Sequence, residues 1–175
     1  MCVLIRPRRD SDIAACAALA REVHALDRYP RFLPEDLRSF LDLPGAYGCW
    51  VAGRSGHVAG HVALLPRTVP SALQIASSAL DRPADQLAVI ARLFVSPQAR
   101  GKGTGRRLLH TATAEAVSRG LWPVLDVDTD LAPAIALYES SGWVRAGMVT
   151  VRFRDGHSLD EYVYLGPEPA RPAGN

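Results

Sequence analysis

Apolar and polar positions change their period several times along the chain, and each change marks an element. Residues 2–6 form a short apolar strand closed by Pro7, and Asp10 is placed to N-cap a helix to about residue 25. Ile13, Cys16, Ala17, Leu19, Ala20 and Val23 give that helix a buried face at helical spacing. Pro30, Pro34 and Pro44 interrupt the next segment, leaving room for a short helix over 35–41 whose first turn holds Glu35 and Asp36. Residues 47–52 and 58–65 read as two strands joined by Gly53-Arg54-Ser55-Gly56, a hairpin signal. Residues 67–86 form a long connection with a possible short helix over 71–80. A nearly continuous apolar run from Leu87 then ends at Ser96-Pro97.

The second half alternates in the same manner. A helix spans 104–119, with Leu108, Leu109, Ala112, Ala116 and Val117 toward the core and Gly120 as its C-cap. Residues 123–128 are a strand; Asp130 is placed to cap a helix to 141, with Pro133 in its first turn and Gly142 at its end. Residues 143–153 and 159–165 make a last hairpin around Arg154-Asp155-Gly156. The expected class is α/β (α+β): a mixed, mostly antiparallel central sheet with flanking helices. Residues 1–166 read as a single domain, followed by a Pro-rich tail over 167–175.

Composition narrows the partners. The net charge of +2 over 175 residues gives no overall basic footprint, so nucleic acid is not the expected partner. Cys2, Cys16 and Cys49 are odd in number and lack metal-type spacing, which supports buried thiols and no metal site. No apolar run approaches membrane-spanning length and residues 1–10 lack a secretory core, so the expectation is a cytoplasmic protein with no membrane partner.

The candidate chemistry sits where the apolar run ends. Arg100-Gly101-Lys102-Gly103-Thr104-Gly105 alternates glycine with other residues and leads into a helix. Such a loop lets backbone N–H groups and a helix N-terminus approach an anion, with Arg100, Lys102, Arg106 and Arg107 adding positive charge. Rival phosphate motifs fail. A Walker A loop needs Ser or Thr after Gly-Lys, and Gly103 stands there. The dinucleotide fingerprint needs a third glycine where Arg106 or Leu108 falls.

Arg100, Gly103 and Gly105 instead fill the three defined positions of the acyl-CoA loop of the GCN5-related N-acetyltransferase (GNAT) family, which the stretch resembles. Leu93-Phe94-Val95-Ser96-Pro97 looks like that family's central strand and its exit. Residues 134–143, AIALYESSGW, resemble a second family segment, with Leu131 where an Asn often stands. The resemblance implies the GNAT fold and an acetyl-CoA-dependent N-acetyltransferase. The acceptor would be a primary amine of a small molecule or of a peptide or protein N-terminus, attacking directly in a ternary complex. Leu93, Phe94, Val95, Arg100, Gly101, Lys102, Gly103, Thr104, Gly105 and Arg106 would bind acetyl-CoA, the acyl donor.

An amine is mostly protonated near neutral pH, so a base is needed, and the leaving thiolate needs an acid. Tyr138 occupies the family's tyrosine position as that acid. Asp126 matches a base position, Asp128 on the same face is a reserve, and mid-strand His61 carries a weaker mark while His57, beside a turn, is expected in solvent. By resemblance, Tyr29, Phe32 and Phe40 are candidates for the acceptor wall; each is expected to pack the local helix instead. Two other readings stay open: a non-catalytic acyl-CoA-binding or regulatory module, and an N-acyltransferase using a longer acyl-CoA or an aminoacyl-tRNA. A homodimer is compatible with either.

Overall fold

Among the described residues, seven strands form one mixed sheet, in the order Ile5–Pro7, Gly48–Arg54, His57–Leu65, Leu87–Val95, Trp122–Asp128, Ser158–Leu165, Val144–Arg152. The computed structural model describes residues 3–54, 57–153 and 156–169. Cys2, Ser55 and Gly56 of the first hairpin turn, Arg154 and Asp155 of the last, and residues 170–175 of the expected tail lie outside the described residues. The contacts cluster into two units, Met1–Leu64 with Ala91–Ala112 and Leu65–Ile90 with Thr113–Asn175.

The first unit is built on β1 (Ile5–Pro7), β2 (Gly48–Arg54) and β3 (His57–Leu65), in antiparallel register from Ile5↔Ala52 and Gly48↔Leu64. Against them lie α1 (Ile13–Asp27) and α2 (Leu37–Leu41). The apolar stripe read along α1 is buried with Leu37, Leu41, Val51 and Phe94 in one core. Asp10 does not cap α1. A tight 3-10 turn occupies Asp10–Asp12, and the Asp12 carboxylate accepts from Arg9 N–H at 2.8 Å while pairing with both arms of Arg6 at 2.7 and 2.8 Å. Asp12, held in a part-buried ion pair, thus stands at the N-cap position that local spacing assigned to Asp10, with no side-chain cap bond to α1. Asp36 likewise lies outside the short helix: it caps α2, accepting from the N–H groups of Arg38 at 2.9 Å and Ser39 at 3.2 Å.

The second unit packs α3 (Pro70–Leu80) near β5 (Trp122–Asp128), β6 (Val144–Arg152) and β7 (Ser158–Leu165), with Leu73, Leu87, Val124, Val149 and Val163 in its core. The strand β4 (Leu87–Val95) belongs to both units, and so does α4 (Thr104–Ser118). β5 runs parallel to β4 only over Leu87↔Trp122 to Val89↔Val124, and antiparallel to β7 from Val124↔Leu165 to Asp128↔Glu161. The helix α5 is Ala132–Glu139, with Leu131 at its N-cap. The N-cap thus falls one residue beyond the expected Asp130, whose carbonyl accepts from Ala132 N–H at 3.0 Å. The Asp128 carboxylate accepts from Asp130 N–H at 2.9 Å. Among the described residues no helix is long and apolar enough to cross a membrane.

Candidate functional site

The glycine loop is shaped by the sequence itself. Gly101 and Gly103 have φ of +69° and +75°, in the left-handed region where a side chain is strained, and a Cβ on either would meet open space. These residues are therefore glycine for backbone shape and access rather than for packing. Arg107 N–H bonds to Gly103 carbonyl at 3.0 Å, which starts α4, so the N–H groups of the residues just before it have no partner within the helix. Thr104 is buried while Gly101, Lys102, Gly103 and Arg106 are exposed.

Two of the expected loop cations are occupied with protein partners. Arg100 forms a two-armed ion pair with Asp27 at the end of α1, and its Nε donates to Val95 carbonyl at 3.3 Å. Lys102 Nζ donates to Gln98 carbonyl at 2.7 Å. Both brace the loop. The helix behind it is seated by Gly60 on β3, where an added Cβ would come within 2.8 Å of Leu108 Cδ1 and 3.2 Å of Phe94 carbonyl oxygen.

Leu93, Phe94 and Val95 follow a break in strand geometry. Arg92, inside β4, has φ of +52°, a conformation costly for a residue with a side chain. His61 is fully buried and stacks on Phe94 with ring centroids 5.2 Å apart. Its Nδ1 donates to Arg92 carbonyl at 2.9 Å, and Nε2 faces Arg8 Nη1 at 3.5 Å. Burial drives the imidazole down to about 4, so it is neutral at physiological pH. His57 is exposed, as expected. Phe40 and Tyr29 pack on the first unit's core, and Phe32 is 43% exposed.

The second unit holds the acid–base groups. Asp126 accepts from Thr68 Oγ1 at 2.9 Å. Burial raises its carboxyl above the ordinary range, against the downward pull of Thr68 and Glu161. Glu161, diagonal to Asp126 across the β5–β7 ladder, is raised too, first by burial and then by the Asp126 charge. Its Oε2 is buried without a hydrogen-bond partner among the described residues. Two carboxyl groups so placed share a proton more readily than they both ionise. Tyr138 is 7% exposed on α5, its ring 6.2 Å from Trp143 and 6.0 Å from Tyr164. The Tyr164 hydroxyl in turn donates to Glu139 Oε1 at 2.8 Å and accepts from Arg145 Nε at 3.2 Å. Among the described residues no group of three or more His, Cys, Asp or Glu side chains could hold a metal ion.

Sequence reasoning passed over Arg92, Glu161 and Thr68. A charged residue inside the apolar run LAVIARLFV was the one signal for Arg92. Glu161 and Thr68 carried none, because their proximity to Asp126 is a matter of strand register and chain return.

The family model of the acetyltransferase (GNAT) family matches residues 17–143, and the chain belongs to that family. Its general chemistry is acetyl transfer. No curated protein matches the chain. Among solved structures, the fold is similar to the ribosomal-protein-S18-alanine N-acetyltransferase from Escherichia coli, at 21% identity and a TM-score of 0.69 over 99% of this chain and 98% of that one. A ribosomal-protein-alanine N-acetyltransferase from Brucella melitensis is 25% identical, with a TM-score of 0.68 over 93% and 98%. The structure of yncA from Salmonella typhimurium with its cofactor acetyl-CoA is 21% identical, with a TM-score of 0.68 over 100% and 98%.

Proposed function

We propose that residues 1–166 act as one N-acetyltransferase domain that moves the acetyl group of acetyl-CoA to a primary amine of a small molecule or of a peptide or protein N-terminus. The observation that carries this reading is the left-handed pair Gly101 and Gly103 leading into α4, in a chain whose family transfers acetyl groups. Backbone N–H groups over 101–106 bind the diphosphate of the donor, and the helix N-terminus adds its dipole. Leu93, Phe94 and Val95 line the donor's acyl arm, and a backbone N–H in that stretch stabilises the oxyanion formed when the amine attacks the thioester carbonyl.

The ammonium form must first lose a proton. Asp126 takes it, directly or through water, and burial, by raising its carboxyl, makes it a stronger base than an ordinary aspartate. Glu161 holds the proton the pair already shares, so the pair passes from singly charged to neutral as the ammonium proton arrives. When the C–S bond breaks, the thiolate leaves with a proton from Tyr138, the second proton of the attacking nitrogen restores the Tyr138 hydroxyl through solvent, and the products are an amide and CoA.

The test is calorimetry with acetyl-CoA together with a thiol-release assay over small amines, antibiotics and peptide N-termini. Gly103→Val adds a β-branched side chain at a left-handed position facing open space, so the protein should fold while its acetyl-CoA affinity falls by on the order of a hundredfold. Unchanged affinity in a folded Gly103→Val protein overturns the reading.

A further inference from the structure

The first unit contains a part-buried arginine that meets no carboxylate among the described residues. Arg92 Nη1 is buried and has no hydrogen-bond partner among the described residues. The guanidinium lies over the Phe40 ring, 4.4 Å from its centroid. The groups that act on its charge are Tyr29, Cys49 and a second cation, Arg8; none is a carboxylate. Arg8 itself donates to the Leu41 carbonyl and faces the neutral His61. The contrast with Arg6, which meets both oxygens of Asp12, is within the same unit.

A guanidinium nitrogen taken out of water without a hydrogen-bond partner is costly, and here its backbone is also held at φ +52°. The two costs fall on one residue, immediately before Leu93, Phe94 and Val95. The planar fork of arginine matches a carboxylate through two parallel bonds, and one arm of this fork is unmatched.

We infer that Arg92 is the anchor for a carboxylate carried by the acceptor amine, so that the acceptor is an amino acid-like or acidic-peptide amine rather than a neutral or polycationic one. This rests on the acetyl-transfer reading and narrows it to a substrate class. Phe40 holds the guanidinium plane, Arg8 adds to the positive field, and neutral His61 fixes the Arg92 carbonyl. The carboxylate has two sources, the α-carboxylate of a free amino acid or an acidic side chain next to a peptide N-terminus.

Thiol release is measured on matched pairs: free amino acids against their amides, and tetrapeptides with Asp or Glu at the second position against the same peptides with Asn or Gln. Calorimetry with acetyl-CoA is run on each protein. Expected is at least a tenfold higher kcat/KM for the charged member in one arm, which also names the source. Arg92→Met should erase that ratio through KM, with acetyl-CoA affinity kept, and Arg92→Lys should restore part of it. The ratio in the unaltered protein needs no variant, so a misfolded Arg92→Met leaves the test standing. Equal use of charged and neutral members, a ratio that survives Arg92→Met, or no turnover of any charged member overturns the inference. Failure of the unaltered protein to bind acetyl-CoA is a separate result: it overturns the proposed function, and this inference with it.

Discussion

Asp12 and Asp126 are both aspartates drawn away from solvent, and their surroundings act on them in opposite directions. The Arg6 guanidinium holds the Asp12 carboxyl down at about 2, outweighing burial, and Arg9 N–H adds to it. Around Asp126 burial prevails, the nearest bonded group is a neutral hydroxyl, and the next is a second carboxyl. The first arrangement fixes a charge permanently and ties β1 to the start of α1. The second supplies no counter-charge, and the carboxyl is held above its ordinary range. Burial alone therefore does not mark a group as structural or chemical; the supply of counter-charge does.

This contrast can be broken at either end. The largest effect is expected at the anchoring pair, where Asp12→Asn leaves the part-buried Arg6 with half its bonds to that carboxylate. Folding stability should fall by about 3 kcal/mol, roughly 6–12 °C in Tm for a chain of this size, read by thermal and urea unfolding. Acetyl-CoA affinity of the folded protein should stay the same. The Asp12 carboxyl is depressed in the folded state, so its contribution is complete above about pH 4 and is lost as pH falls through about 2. The two proteins should therefore converge in stability across that window, and a constant gap down to pH 2 would remove the charge from the explanation.

At the other end, Asp126→Asn keeps shape and removes basicity. Turnover should drop by about a hundredfold and the acidic limb of the pH–rate profile should disappear, with acetyl-CoA affinity retained. Its stability effect should have the opposite sign to that of Asp12→Asn. A carboxyl raised by folding destabilises the fold once pH passes above its unfolded value, so at pH 7 the Asn protein should be no less stable than the original. An intact acidic limb would move the base to Glu161, Asp128 or solvent. The smallest effect is expected at Tyr138, where Phe preserves the packing against Trp143 and Tyr164. Turnover should fall about tenfold with Tm barely altered; unchanged turnover would make Tyr138 a core residue only.

What could be read from the chain beforehand follows the range of the interactions. The glycine loop, the stripe of α1 and the alternating strands are local patterns, and the structure reproduces them with shifts of a residue or two. Of the two misplaced helix caps, one was decided by a partner from another element: Asp12 stands in place of Asp10 where Arg6 arrives on β1, while the other is a shift of one residue, from Asp130 to Leu131. Arg92 looked like a single interruption in an apolar strand. Its interest lies in the carboxylate it does not meet, and spacing along a chain carries no information about that. Thr68 reaches Asp126 from 58 positions away, which no window of sequence brings together.

Gly60 has a bearing on how this scaffold could be redesigned. Its missing side chain lets Leu108 of α4 and the Phe94 carbonyl close up against β3, so the seating depth of the helix is set by one absent methyl group on a strand that carries none of the proposed donor-binding residues. A library that diversified β3 as inert framework would be adjusting the height of the donor cradle at every variant of position 60, and the tolerance there is narrower than at the exposed glycines of the cradle itself.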